Sequence, residues 1–249
     1  MGAVLERYAS DVASAMVATL GPRLVGVFLH GSAALGGFDV RRSDVDVLVV
    51  AEGRMTAVEK SAAARALSNE RLPCPAHGLE LSIVTFSAAQ NPTAQPAFEL
   101  HVTTAPEDTK VVDGHEHGGD PDLVLHFAVC RGAGQLIGPG RPASEVFAPV
   151  PDDLVLAQLA SELRWSAGHA PGEYAVLNAC RAWRFAADGA LVSKIDGGRW
   201  ALGRVPGPDG ELIRTALNRQ RCLPAAELDP RAVRRFVGQA LSRLAETPA

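Results

Sequence analysis

Two apolar runs joined by a short, glycine-bearing polar segment constrain this chain most. Leu24-Val25-Gly26-Val27-Phe28-Leu29 has the length and bounds of a buried strand, and it stops at His30-Gly31-Ser32. Asp44-Val45-Asp46-Val47-Leu48-Val49-Val50 follows as a second strand rich in β-branched residues. Ahead of both, Leu5, Tyr8, Val12, Met16 and Leu20 recur at spacings of three and four, which predicts a helix ended by Gly21-Pro22. Beyond them, Thr56 to Glu70 reads as helix and Leu79 to Phe86 as a third strand. The order helix, strand, strand, helix, strand predicts a small mixed α/β sheet.

The rest of the chain reads differently. Residues from Asn91 to about Gly119 look irregular, with several prolines, three histidines and many acids. Asp120-Pro121 then opens a helix through Leu123, Phe127 and Cys130. Breaks at Gly138-Pro139-Gly140-Arg141-Pro142 and at Pro149-Val150-Pro151 place a domain boundary near Pro149, giving an α/β domain over 1–149 and an all-helical bundle domain over 150–249. Within the second domain, helices are predicted over Leu154–Trp165, Tyr174–Ala187 (stopped at Asp188-Gly189) and Glu211–Asn218. In the last helix, Asp229 stands at the N-cap and Pro230 at the first helical position. Val233, Phe236, Val237, Ala240, Leu241 and Leu244 form its apolar face.

Bulk properties exclude several classes. A formal net charge of -4 argues against a nucleic-acid partner, which would need a basic face. Cys74, Cys130, Cys180 and Cys222 lie far apart, without a CxxC pair or zinc spacing, and read as reduced thiols. No run approaches the roughly 18 apolar residues of a membrane span. The first helix carries Glu6 and Asp11 and no secretory signal pattern, so a cytoplasmic, monomeric protein is expected.

The chemistry concentrates around the first two strands. A strand running into Gly31-Ser32 brings backbone N–H groups and a hydroxyl toward an anion with no Cβ in the way. Asp44 and Asp46, two apart on a strand, point to the same side, about 7 Å apart at Cα. Two such carboxylates beside an apolar strand call for a cation. Mg²⁺ suits them, because it takes one or two carboxylates together with substrate phosphates. Glu80 lies in Leu79-Glu80-Leu81-Ser82-Ile83-Val84, on the side of that strand opposite Leu79, Leu81 and Ile83. From a strand next to the aspartates it could accept the proton of an attacking hydroxyl; from an edge strand it would be an ordinary surface acid.

Gly31-Ser32, Gly36-Gly37 and Ser43-Asp44-Val45-Asp46 together resemble the signature of the DNA-polymerase-β-like nucleotidyltransferases. The fuller pattern is similar to the aminoglycoside adenylyltransferases that modify streptomycin and spectinomycin, over nearly the whole chain. The resemblance implies that Asp44 and Asp46 hold Mg²⁺ and the phosphates of ATP, that Ser32 and Ser43 lie at the nucleotide, and that Glu80 is the catalytic base and also meets the acceptor. Asp122 matches an acid that opens the helix after the irregular loop. Leu177-Asn178-Ala179-Cys180-Arg181-Ala182-Trp183 resembles the family stretch whose arginine, here Arg181, reaches the phosphates; Lys194 matches a second phosphate contact. The implied activity is transfer of AMP from ATP to a hydroxyl of an aminoglycoside-type antibiotic, with the site between the two domains.

The chain departs from the family where the acceptor binds. Trp165 matches one tryptophan of the drug cleft, but Glu99-Leu100 leads to His101-Val102-Thr103 where a second tryptophan would stand. The acid that helps select streptomycin has no clear match, although His169 and Glu173 lie nearby, and a tyrosine of the nucleotide pocket is replaced near Cys222. Independently, Glu99, Glu107, Asp108, Asp113, Glu116, Asp120 and Asp122 are seven acids in a stretch whose only Lys or Arg is Lys110, a field that would attract a cationic small molecule. Adenylylation of a protein or another metabolite, and non-catalytic nucleotide sensing, are the alternatives at this stage.

Overall fold

The computed structural model describes residues 2–246; Met1 and residues 247–249, the outer ends of the two expected domains, lie outside the described residues. The chain divides into two compact units, Met1–Val150 and Pro151–Ala249. Among the described residues, no helix is long and apolar enough to cross a membrane.

The first unit opens with α1 (Ala3–Leu20), whose Leu5, Tyr8, Val12, Met16 and Leu20 are all buried. It continues through β1 (Leu24–Leu29), a short α2 (Gly31–Ala34) and β2 (Val45–Ala51). The next elements are α3 (Ala57–Ala66), β3 (Leu79–Thr85) and α4 (Phe86–Gln90). β4 (Leu100–Thr103), β5 (Lys110–Asp113), α5 (Leu123–Ala133), β6 (Gln135–Leu136) and α6 (Ala143–Val146) complete the unit. α3 starts where Thr56 and Glu59 form a reciprocal cap: the Thr56 hydroxyl accepts from Glu59 N at 3.2 Å, and the Glu59 carboxylate accepts from Thr56 N at 2.7 Å.

The strands form one sheet of order β5-β4-β3-β2-β1-β6. β1 and β2 pair antiparallel, as do β3 and β4, whereas β2 and β3 are parallel over seven residue pairs from Val45↔Leu79 to Ala51↔Thr85. A parallel pair needs a crossover, and α3 lies within it. Both faces of the central strands are covered. Val45, Val47, Val49, Leu79, Leu81 and Ile83 join α1 and α3 in one core. Phe28, Leu48, Val50 and Val84 join Leu123, Phe127 and Cys130 of α5 and Phe147 in the other. In the second core the Phe28 and Phe147 rings meet edge-on at 5.1 Å, and Phe127 lies 5.6 Å from Phe147. Contacts of this kind add about 0.5–1.5 kcal/mol each beyond simple burial.

The stretch expected to be irregular, Asn91 to Gly119, contains β4 and β5. Each has only four residues, and β5 exposes Lys110 and Val111 on the sheet edge, so neither shows a long alternation in the sequence.

The second unit is helical: α7 (Asp152–His169), α8 (Gly172–Asp188), α9 (Lys194–Leu202), α10 (Gly207–Gln220) and α11 (Pro230–Glu246). α8 is central, with buried residues on most of its circumference, among them Ala175, Val176, Leu177, Ala179, Cys180 and Ala182. α11 is amphipathic, and Asp229 accepts a hydrogen bond from Arg231 N at 3.0 Å through Oδ1, an N-cap ahead of Pro230. α9 lies against α8 at Gly197 and Gly198. A Cβ at Gly197 would sit 2.8 Å from the Arg181 N and Cα atoms, and one at Gly198 would sit 2.7 Å from Leu177 Cδ2.

Candidate active site

The acids gather where β1 ends beside the start of β2. His30 N donates to the Asp46 carbonyl at 3.0 Å and ties the two strands together. Gly31 then takes φ +56°, a left-handed conformation, and starts α2. A Cβ at this position would lie 2.5 Å from Asp46 Cγ, so the Asp46 carboxylate packs directly against the Gly31 backbone. Ser32 N donates to Asp46 Oδ2 at 3.3 Å, and the buried Ser32 hydroxyl has no partner among the described residues.

Asp46 and Glu80 are partners in the parallel β2–β3 register. Side chains level with each other on neighbouring strands share a face, and strands lie about 4.8 Å apart. The face is the one covered by α5, because Leu48, Val50 and Val84 continue it into the second core. Glu80 therefore stands on a central strand beside Asp46 and not on an edge. Asp44 lies two residues before Asp46, just ahead of β2. Its Oδ1 is 3.0 Å from His77 Nδ1, and His77 Nε2 is 2.9 Å from Glu107 Oε1. The hydrogen bond that the Asp44 carboxylate accepts from His77, with the charges of Asp44 and Glu107, raises His77 above its ordinary pKa despite some desolvation. His77 has no counterpart in the sequence motif; only the fold brings it to Asp44.

The other expected nucleotide residues are placed as follows. Ser43 is nearly buried and its hydroxyl accepts from Asp39 N at 3.1 Å, so it closes the loop ahead of the aspartates. Asp122 stands at the N-cap position of α5 and lines a cavity of about 330 Å³ shared with Glu80, Phe98, His101, His117 and Asp120. His101 is opposite Ser82 in the β3–β4 register, 2.9 Å from its hydroxyl through Nδ1, and burial lowers its pKa.

The acidic field is weaker than the sequence implies. Lys60 of α3, remote in sequence, is nearly buried at 2.6 Å from Asp113 and 3.8 Å from Glu99. Glu99 also accepts from Met55 N at 2.9 Å, Asp108 pairs with Lys110, and Glu107 with His77. The folded chain thus offsets much of the charge, and the acids beside Glu80 in the cavity are Asp108, Asp120 and Asp122.

In the helical unit, Arg181 Nη2 bonds Glu162 Oε2 at 2.8 Å, and Lys194 Nζ lies 4.0 Å over the Tyr174 ring. Trp165 is 54% exposed and stacks on His169 at 5.8 Å. Glu173, expected near the acceptor, is buried, and its Oε2 accepts from Arg219 Nε at 3.1 Å. It lines a second cavity of about 340 Å³ with Ser166, Gly172, Arg219, Leu228 and Arg234, and Trp165 is not part of that lining.

Among the described residues, no group of three or more His, Cys, Asp or Glu forms a ready-made metal cage. Two carboxylates completed by phosphate oxygens are the donor set that Mg²⁺ accepts. The Gly31-Ser32 turn, with its unpartnered hydroxyl and its lack of a Cβ, fits a phosphate beside them.

A glycine turn thus stands at the end of one strand, with Asp46 and Glu80 level on the next two. Residues 145–243 match the family model for the aminoglycoside adenylyltransferase C-terminal domain. Among solved structures, the chain is similar to spectinomycin adenyltransferase AAD(9) from Enterococcus faecialis, crystallised with ATP and spectinomycin. The TM-score is 0.73 at 16% identity, over 96% of this chain and 99% of that one, a shared fold. A comparison with curated proteins found no match.

Proposed function

We propose that the chain transfers AMP from ATP to a hydroxyl of a cationic, aminoglycoside-type acceptor. The observation that carries this reading is the register pair Asp46↔Glu80, which sets a base next to a carboxylate suited to a metal ion. The acceptor oxygen attacks the α-phosphorus in line, the bond from that phosphorus to the bridging oxygen of the β-phosphate breaks, and pyrophosphate leaves. The hydroxyl proton passes to a Glu80 carboxylate oxygen. Asp44 and Asp46 would hold Mg²⁺, which when bound neutralises phosphate charge. Ser32, through its hydroxyl and the Gly31-Ser32 backbone, binds phosphate. Arg181 and Lys194 provide positive charge for the leaving pyrophosphate. The acceptor enters the cavity lined by Glu80, Asp120 and Asp122, where the acids meet its ammonium groups.

The match of residues 145–243 to the aminoglycoside adenylyltransferase C-terminal domain and the similarity in fold to AAD(9) support the choice of ATP and an antibiotic acceptor. Mass spectrometry after incubation with Mg-ATP and spectinomycin or streptomycin tests it, an added AMP being the expected result. Glu80→Gln should keep Mg-ATP binding and lower transfer by about 10²–10⁴-fold, the usual contribution of a positioned base. Unchanged turnover in that variant would remove Glu80 from the role.

A further inference from the structure

Asp44 and Asp46 are held in different ways. Asp46 lies inside β2, packs against the Gly31 backbone and accepts from Ser32 N. Asp44 stands just ahead of β2 and is partly exposed. A carboxylate beyond the end of a strand keeps its rotamer freedom unless a neighbour fixes it. His77 is that neighbour. Two backbone bonds bracket Asp44 against the segment that leads into β3: His77 N donates to Ser43 O at 3.3 Å, and Val45 N donates to Gly78 O at 2.7 Å. The β2–β3 pairing that sets Asp46 level with Glu80 thus continues past the strand ends and sets His77 beside Asp44. The ring then spans two acids, with Nδ1 3.0 Å from Asp44 Oδ1 and Nε2 2.9 Å from Glu107 Oε1. A carboxylate only accepts, so the Nδ1 that faces Asp44 carries a proton and donates.

Glu107 is itself held in place. It sits in the turn between β4 and β5, where Asp108 N donates to Ala105 O at 3.0 Å and the Thr109 hydroxyl donates to the same oxygen at 2.8 Å. The turn is fastened to the backbone that carries His77. Leu79 N donates to the Thr104 hydroxyl at 2.9 Å, and a Cβ at Gly78 would lie 2.6 Å from Ala105 N. The imidazole is therefore gripped from both ends, by the β4–β5 turn on one side and by Asp44 on the other.

We infer that His77 is a positioning residue for the metal-binding carboxylate: anchored by Glu107, it engages Asp44 Oδ1 and leaves Oδ2 for a divalent cation shared with Asp46. The inference rests on the AMP-transfer reading of the aspartate pair. A hydrogen-bonding partner behind a ligating group typically contributes about 10–100-fold to metal affinity. His77 is partly exposed, which puts its share at the lower end of that range.

The test is a titration of the full chain with Mn²⁺, read from the electron paramagnetic resonance signal of the free ion with and without ATP, beside the Mg²⁺ dependence of AMP transfer. Thermal unfolding establishes that each variant is folded. His77→Ala should weaken Mn²⁺ binding about tenfold. It should raise the Mg²⁺ concentration for half-maximal transfer by a similar factor, with a smaller loss of kcat at saturating Mg²⁺. His77→Asn places an amide N–H near the position of Nδ1 and gives up Glu107, so it should keep Mn²⁺ affinity within about threefold, the scale of one exposed ion pair. His77→Gln reaches toward Glu107 instead; it should behave like His77→Ala, and it replaces that variant should the alanine chain not fold. Mn²⁺ binding that is unchanged or tighter without the donor to Asp44 would overturn the inference, as would a His77→Asn variant as weak as His77→Ala. Either result, with a parent that binds Mn²⁺ in the presence of ATP, leaves the proposed function standing. A parent that leaves the ion free at every ATP concentration would overturn both.

Discussion

Gly31→Ala probes the site most directly, because one methyl group meets both the backbone and an acid. At φ +56° an alanine carries a backbone cost of about 1–2 kcal/mol. The new Cβ would also lie 2.5 Å from Asp46 Cγ and 2.8 Å from Asp46 Cβ, so the carboxylate must turn away. It then loses the Ser32 N–H, a hydrogen bond to a charged acceptor worth about 1.5 kcal/mol at the lower end of its range, since it is 3.3 Å long and only partly buried. The total is about 2–4 kcal/mol, which lowers the unfolding midpoint of a unit this size by about 5–15 °C. Gly36→Ala is the internal control: its φ is +75° but nothing lies within 4 Å of the added Cβ, so only the backbone cost applies. Thermal unfolding followed by circular dichroism, beside the AMP-transfer assay, separates the two. Equal midpoints and equal turnover for both variants would refute the packing of Asp46 on Gly31.

Phe127→Ala removes a fully buried ring that contacts Phe147, and should cost about 3–5 kcal/mol in urea unfolding; a loss below 1 kcal/mol would mean that the α5 core is not packed as described. His77 has a pKa raised by Asp44 and Glu107, so its contribution to stability is present below its unfolded value of about 6.5 and disappears as pH rises through the higher folded value. His77→Ala should therefore lower stability near pH 6 and leave it unchanged at alkaline pH; a difference that grows with pH would reverse the assignment.

The fold was legible where apolar pattern and length were strong. The α1 face, the three central strands and α11 follow from periodicity, the length of apolar runs and capping residues, because each buries one or both sides of a regular element. The short β4 and β5 were not, since four residues are too few to establish a period. α9 was hidden for another reason. A Gly197-Gly198 pair disfavours helix, yet it is there because side chains at those positions would collide with α8. At the candidate site, Asp44, Asp46 and Glu80 stand out as acids on apolar strands. His77, the partner of Asp44, and Lys60, the partner of Asp113, do not: each reaches its acid across more than 30 residues of sequence.

The parallel ladder between β2 and β3 also determines which length changes the chain can absorb. Seven consecutive backbone pairs hold Asp46 level with Glu80, whatever the length of the chain that loops out between the two strands. Residues added around 68–76 would lengthen an excursion and leave the two acids facing as before. One residue inserted within β2 after Val47 would turn Asp46 to the opposite side of the sheet if the downstream pairing held, or strip Leu48 and Val50 from their core if it did not.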